Sequence, residues 1–241
     1  MSRFLVIIDS FKGCLTSAEA NQAAAEGILS LMPEAEVIQI PVSDGGEGWL
    51  EAVHSAMGGR MQDVLVNDPL MRPIVAQYLI NGDTAVIEMA KASGLMLLSP
   101  EERNPMVASS YGTGQLVADA VRKGCRHIIV GLGGSATSDC GMGMLQAITD
   151  SLAPQGSWSD VHVLEEVRFT IASDVRNPLC GENGAAHVFA PQKGLHPRWL
   201  LNWMSVPDDL PRSLPCALVT TDRTCRGPGL QVDWATLSCN S

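Results

Sequence analysis

Arg3–Met57 reads RFLVIIDSFKGCLTSAEANQAAAEGILSLMPEAEVIQIPVSDGGEGWLEAVHSAM. Its opening run, Arg3–Ile8, is short and β-branched, and predicts a buried parallel strand that ends at Asp9. A loop follows, and Thr16-Ser-Ala-Glu19 has the form of a capping box. The helix it opens carries Ala20, Ala23, Ala24, Ile28 and Leu31 on one face and stops near Pro33. Glu36–Val42 predicts a second strand, leading to Ser43-Asp-Gly-Gly-Glu-Gly48 and a helix from about Glu47 to Met57, with Gly58-Gly59 as its C-cap. Strand, loop and helix repeated in this order are the grammar of a doubly wound α/β sheet.

From residue 62 the texture changes. Asp63–Val66, Ile74–Ile80 and Thr84–Met89 predict strands joined by short turns, one of them Asn81-Gly82-Asp83, so a mixed sheet is expected. A helix over about Thr113–Lys123, a buried strand His127–Leu132, a helix reaching about Ile148 and a strand Val167–Ala172 follow. Leu195–Ser241 differs again: it has no Lys, Glu, Ile, Phe or Tyr, and Pro207, Pro211 and Pro215 break any helix there. The expected organisation is therefore residues 1–61 as the N-terminal part of a Rossmann-like α/β unit, 62–194 as a second α/β unit, and 195–241 as a divergent, poorly packed tail.

The 241-residue chain has 16 Lys+Arg against 26 Asp+Glu, a formal net charge of −10, and 46% hydrophobic residues. A disordered chain is excluded on composition, and the acidic balance argues against nucleic-acid binding. No apolar run approaches the roughly 18 residues of a membrane span, and the N-terminus lacks a signal peptide's pattern, so a cytoplasmic location is expected. The seven Cys form no CxxC pair and are read as buried or reduced thiols; the five His share no metal-ligand spacing.

The run Gly131-Leu-Gly-Gly-Ser-Ala-Thr-Ser-Asp139 lies between a strand end and a helix start. Its backbone N–H groups and the helix dipole can face an anion, with Ser135 and Thr137 adding donors. The alternative is a tight turn that needs glycine for steric reasons. Asp9 and Lys12 follow the first strand, and Asp44 and Glu47 the second, at the edge where open α/β sheets bind ligands. A carboxylate there can hold Mg²⁺ or take a substrate proton, and Lys12 can neutralise a phosphate. The alternatives are an N-capping Asp and a solvated Lys. Asp174 either binds metal or substrate or makes an Asx-turn. Lys193, in Phe189-Ala-Pro-Gln-Lys-Gly194, faces a ligand or solvent. Arg103 either clamps a carboxylate or pairs with the acids beside it.

Eight ordered runs resemble the bacterial glycerate kinase family: Asp9–Gly13, Pro41–Gly48, Ala85–Gly94, Glu102–Pro105, Tyr111–Gly114, Gly133–Asp139, Ser173–Leu179 and Ala190–Gly194. The resemblance implies a two-domain α/β fold, a discontinuous Rossmann-like domain (incomplete here) plus a second mixed α/β domain, with the site between them. It implies ATP-dependent phosphorylation of D-glycerate, usually to 2-phosphoglycerate, with ATP and Mg²⁺, no nucleic acid or membrane partner, and a homo-oligomer as an open possibility. Within the matched runs it implies Lys12, Asp44, Asp174 and Lys193 as catalytic residues. Asp9, Ser10, Gly45, Gly46, Glu47, Arg103, Gly133, Gly134, Ser135, Thr137 and Asn177 would bind substrate or nucleotide, and Asp44 and Asp174 would hold Mg²⁺.

The chain departs from the family's pattern between Asp150 and Val167, where the family has a longer strand and a Gly-rich loop, and after Gly194, where the resemblance stops. The family's further Gly-rich segment and Gly-Glu-Gly-Arg motif are also missing. This is the expected mark of a frameshift and early stop, and it sets a second reading beside the first: an inactive remnant with exposed apolar surface.

Overall fold

The structure, a computed structural model, describes residues 2–11, 14–43, 45–173, 175, 177, 183–195, 226–227 and 230–235. It begins with a small unit of β1 (Arg3–Val6), α1 (Ser17–Leu31) and β2 (Glu36–Gln39), whose strands pair in parallel as a two-stranded sheet. The predicted capping box forms in full. Thr16 accepts from the Glu19 N–H at 3.2 Å, and the Glu19 carboxylate accepts from the Thr16 N–H at 2.8 Å.

Two expectations fail in this unit. The strands were expected to be buried, yet Leu5 is 58% exposed, and Ile7, Ile38 and Ile40 are exposed as well. The helix face was expected to centre on alanines running to Leu31, yet Ala23 and Leu31 face solvent while Ser17, Ala20, Asn21 and Ala25 are buried. The cause is polar. Asn21 accepts from the Ile8 N–H at 3.0 Å, and Ser17 Oγ donates to the Ile8 carbonyl at 2.6 Å and accepts from the Val42 N–H at 2.9 Å. The buried pair satisfies the backbone where both strands end, and helix rotation follows from it.

The rest of the chain builds around a seven-stranded sheet in the order β3-β4-β5-β6-β7-β9-β8. Strands β3 (Arg60–Asn67), β4 (Pro73–Asn81) and β5 (Thr84–Glu88) form an antiparallel meander. The predicted turn joins the last two, with Asn81 opposite Thr84. β6 (His127–Gly131) and β7 (Arg168–Ala172) continue in parallel, aligning Ile87, Val130 and Ile171. This is the mixed sheet that the texture after residue 62 predicts. In the stretch read as a tail, β8 (Arg226–Gly227) and β9 (Leu230–Ala235) join the edge, β9 running parallel to β7.

Alternation along the strands covers both faces. Ala85, Ile87, Ile128 and Val130 point to the larger core, which also holds Leu116, Val117 and Val121 of α4 (Tyr111–Arg122) and Met144 and Ile148 of α5 (Met142–Leu152). Val86 and Leu79 point to the other face and meet Trp49 and Leu50 of α2 (Trp49–Met57). Helix α2 therefore packs on the large sheet, although in sequence it completes the second strand–loop–helix unit. Val161, Leu164 and Val167 are buried in the short connection from α5 to β7. The two remaining helices are single turns or little more, α3 (Ala90–Ser93) and α6 (Ala185–Phe189).

Candidate active site

The carboxyl ends of β5, β6 and β7 are where the chain's motifs meet. The loop after β6 is met from one side by Gly45-Gly46, just before α2. Gly133 N–H donates to the Gly45 carbonyl at 3.0 Å. A Cβ on Gly133 would overlap the Gly46 backbone, and one on Gly131 would overlap the Gly45 carbonyl and the Trp49 ring. Glycine is needed here because two backbones touch, not because of the turn alone. From another side comes Ser93-Gly94-Leu95: Leu95 N–H donates to the Gly134 carbonyl at 2.8 Å, and Ala136 N–H to the Ser93 carbonyl at 2.9 Å. The run Ala85–Gly94 thus supplies a strand, a helical turn and one wall of the site.

Lys193 enters from below. It is 9% exposed, and its Nζ donates to Ser135 Oγ at 2.8 Å and to the Thr137 carbonyl at 2.5 Å. The reading of Lys193 as a surface lysine is excluded. Burial lowers its pKa to about 8, against an opposing pull from the Asp139 carboxylate. Gly194, beside it, packs so closely on the Arg103 carbonyl that a Cβ would overlap it. Arg103 is partly buried, and its Nε is buried without a hydrogen-bond partner. The pairing of Arg103 with its neighbouring acids is not what forms: Glu102 binds Arg72 instead, at 2.6 Å, and the described residues give Arg103 no ion pair. A partly buried guanidinium with an unmet donor is a candidate to bind an anion.

One part of the anion argument needs correction. The α5 N-terminus was expected to offer its dipole to a ligand, but the chain fills it with its own carboxylate. Asp139 accepts from Gly141 N–H and Gly143 N–H, both at 3.1 Å, and from Ser110 N–H and Oγ–H at 2.8 and 2.7 Å. Asp139 joins the starts of α4 and α5. Sequence reasoning passed over it, because Asp139 lies three residues before α5 and not at its N-cap, which is Gly141. Gly133 and Ala136 N–H are also engaged, which leaves the Gly134 and Ser135 N–H groups among the loop's candidate donors to a ligand.

The remaining predicted residues are placed less centrally. Asp9 is exposed and accepts from its own neighbour, Ser10 N–H, at 2.7 Å. Glu47 is exposed at the end of the Gly45-Gly46 loop. Asn177 donates to the Asn183 carbonyl at 2.9 Å. Thr137 is buried. Lys12, Asp44 and Asp174 lie outside the described residues. Glu88 went unread as a functional residue, yet it is 1% exposed at the end of β5.

Metal binding was expected at Asp44 and Asp174. Among the described residues no group of three or more His, Cys, Asp or Glu is arranged to hold a cation, and the Asp139 carboxylate is engaged by four N–H or O–H donors. Asp44 and Asp174, the two acids read as Mg²⁺ ligands, lie outside the described residues. Cys125 is buried, while Cys14 and Cys140 are exposed. No helix among the described residues is long and apolar enough to cross a membrane.

Comparison with known proteins agrees with the resemblance. A model of the glycerate kinase family matches residues 4–203. The glycerate kinase of Haemophilus influenzae is 39% identical over 215 residues, 81% of this chain and 57% of that protein. The glycerate 2-kinase of Escherichia coli is 39% identical over 212 residues, 80% of this chain and 56% of its own length. A crystal structure assigned to glycerate kinase 2 of Salmonella typhimurium matches with a TM-score of 0.67 at 36% identity, covering 85% of this chain and 60% of that one. The chain spans a little over half the length of the curated relatives it matches.

Proposed function

The chain belongs to the glycerate kinase family, and from that premise we propose that its site transfers the terminal phosphoryl group of ATP to a hydroxyl of D-glycerate, with 2-phosphoglycerate as the expected product. The observation that carries the reading is Lys193, buried with its Nζ on Ser135 and Thr137 of the Gly133–Thr137 loop, with the Arg103 backbone packed on the neighbouring Gly194. Phosphoryl transfer asks a protein mainly to position reactants and offset charge. The Lys193 ammonium faces the loop and is rigidly held, so it can oppose charge on the transferring oxygens. Arg103 suits the glycerate carboxylate. The N–H groups around Gly134 and Ser135, with the Ser135 hydroxyl, are the donors for nucleotide phosphate. Asp44 and Asp174 are the candidates to orient or deprotonate the accepting hydroxyl. Mg²⁺ ordinarily neutralises the phosphates of ATP, and those same two carboxylates are its candidate ligands. No step is derived through it.

A second reading, a chain without turnover of its own, is favoured by one observation: the exposed apolar side chains of the small sheet, Leu5, Ile7, Ile38 and Ile40. A coupled ADP-release assay with D-glycerate and Mg·ATP separates the two. Phosphorus NMR of the product assigns the hydroxyl, since phosphate on C2 couples to one proton and phosphate on C3 to two. Folded protein that releases no ADP above background refutes the kinase reading for this chain.

A further inference from the structure

Helix α2 has no cap of its own. Its N-cap is Gly48, at φ +82° and without a side chain, so its first N–H groups need an acceptor from elsewhere. Glu88 provides it from the sheet. The carboxylate accepts from Leu50 N–H at 2.9 Å, while Glu88 itself sits in register with Gly131 of β6. One turn on, Lys91 binds Glu51 of α2 at 2.7 Å. The residues just before this gripped turn are Gly45 and Gly46, which lie against Gly131 and Gly133, and Gly46 is tied into the turn through its carbonyl, which accepts Trp49 N–H at 3.1 Å.

We infer that Glu88 is a positioning residue: by capping α2 from the end of β5, it fixes the Gly45–Glu47 loop against the Gly131–Gly133 backbone. Its purpose rests on the phosphotransfer reading; its placement does not.

The energetics separate this role from a merely structural one. Burial raises the Glu88 pKa, with Glu51 adding to the rise; the Leu50 and Gly48 N–H groups and the Lys91 ammonium oppose it. Among the described residues these are the charged groups that act on it from α2 and α3. A carboxyl group whose pKa is higher in the fold than in the unfolded chain stabilises most when protonated, and that stability is lost as pH rises through the folded value. Ionising Glu88 therefore weakens the fold, while its charge strengthens the bonds to the α2 start.

Glu88→Gln keeps the shape and one acceptor and removes the charge. The expected result is a Tm at pH 7 equal to or above that of the parent chain, with hydrogen exchange at least about tenfold faster at residues 45–50 and unchanged in β4 and α4. Glu88→Asp, one methylene shorter, should show the same local loss. Parent-like exchange at residues 45–50 in the Gln variant would overturn the inference. So would a lowered Tm with faster exchange spread through β4, β5 and α4 alike. The ADP-release assay on the parent chain decides the kinase reading separately, so the two can fail independently.

Discussion

Replacing Lys193 by Met should remove a rise in stability that the parent chain shows between pH 8 and 10. The ammonium is 9% exposed, and burial lowers its pKa from 10.5 to about 8. At about 1.36 kcal/mol per pH decade, that corresponds to a cost of about 3 kcal/mol for holding the charge in the fold. Below pH 8 both folded and unfolded chains carry the proton, and the cost is present in full. Between pH 8 and 10.5 the folded chain releases the proton while the unfolded chain keeps it, so stability rises, by up to about 1.4 kcal/mol per pH unit. Above 10.5 the cost is gone. Lys193→Met removes this cost but also the bonds to Ser135 and Thr137, each worth about 1.5–3 kcal/mol when charge-assisted. The two bonds together, about 3–6 kcal/mol, match or exceed that cost, so at pH 7 the variant should be equal to the parent chain or up to about 3 kcal/mol less stable. Urea unfolding at pH 7, 8, 9 and 10 tests this: the parent chain should gain on the variant by about 2 kcal/mol between pH 8 and 10. Burial also raises the Cys125 thiol and the Tyr78 hydroxyl, but both are common to the two proteins and cancel in the difference. Curves that run parallel across this range would refute the claim that Lys193 is buried as a cation against the Ser135 loop.

Three further outcomes are expected. Gly133→Ala should push the β6 loop off Gly46 and lower Tm by several degrees, while Gly134→Ala, where the built Cβ meets only the Ala90 side chain, should cost only the strain of its positive φ; equal losses would place the tight contact elsewhere. Asp139→Ala should destabilise by about 2–4 kcal/mol in urea, since it frees donors at the starts of both α4 and α5; a change under about 0.5 kcal/mol would deny the capping role. Arg103→Met should raise KM for D-glycerate at least tenfold with little change in KM for ATP; an unchanged glycerate KM would leave the carboxylate to another group.

What the residues disclosed and what they concealed follow from range. Thr16 and Glu19 are three apart, and their capping box is readable because everything it needs is local. The strands of the large sheet are readable because runs such as Ala85–Ile87 and Ile128–Val130 are apolar on both faces. The apolar runs of β1 and β2 predict burial on the same grounds, but burial needs a partner surface that pattern cannot supply, and Leu5 and Ile38 lie open. Lys193 reads as an ordinary lysine because the atoms that hold it are 58 and 56 residues away. Glu88 had a signal: a carboxylate closing a run whose other members must be buried. The glycines at 45, 46 and 133 were legible as loops, but not as two loops in contact, since neither sequence contains the other.

The coupling of α2 to the large sheet has a mechanical consequence. The Gly45 loop and α2 are fastened to that sheet, through the Gly45 carbonyl, the Glu88 cap and the Lys91–Glu51 pair. The ends of β1 and β2 are fastened to α1, whose Ser17 holds the Val42 N–H and whose Asn21 holds the Ile40 carbonyl. Val42 and Gly45 thus answer to separate sets of bonds, so loosening α1 would leave the contact between the two glycine loops in place.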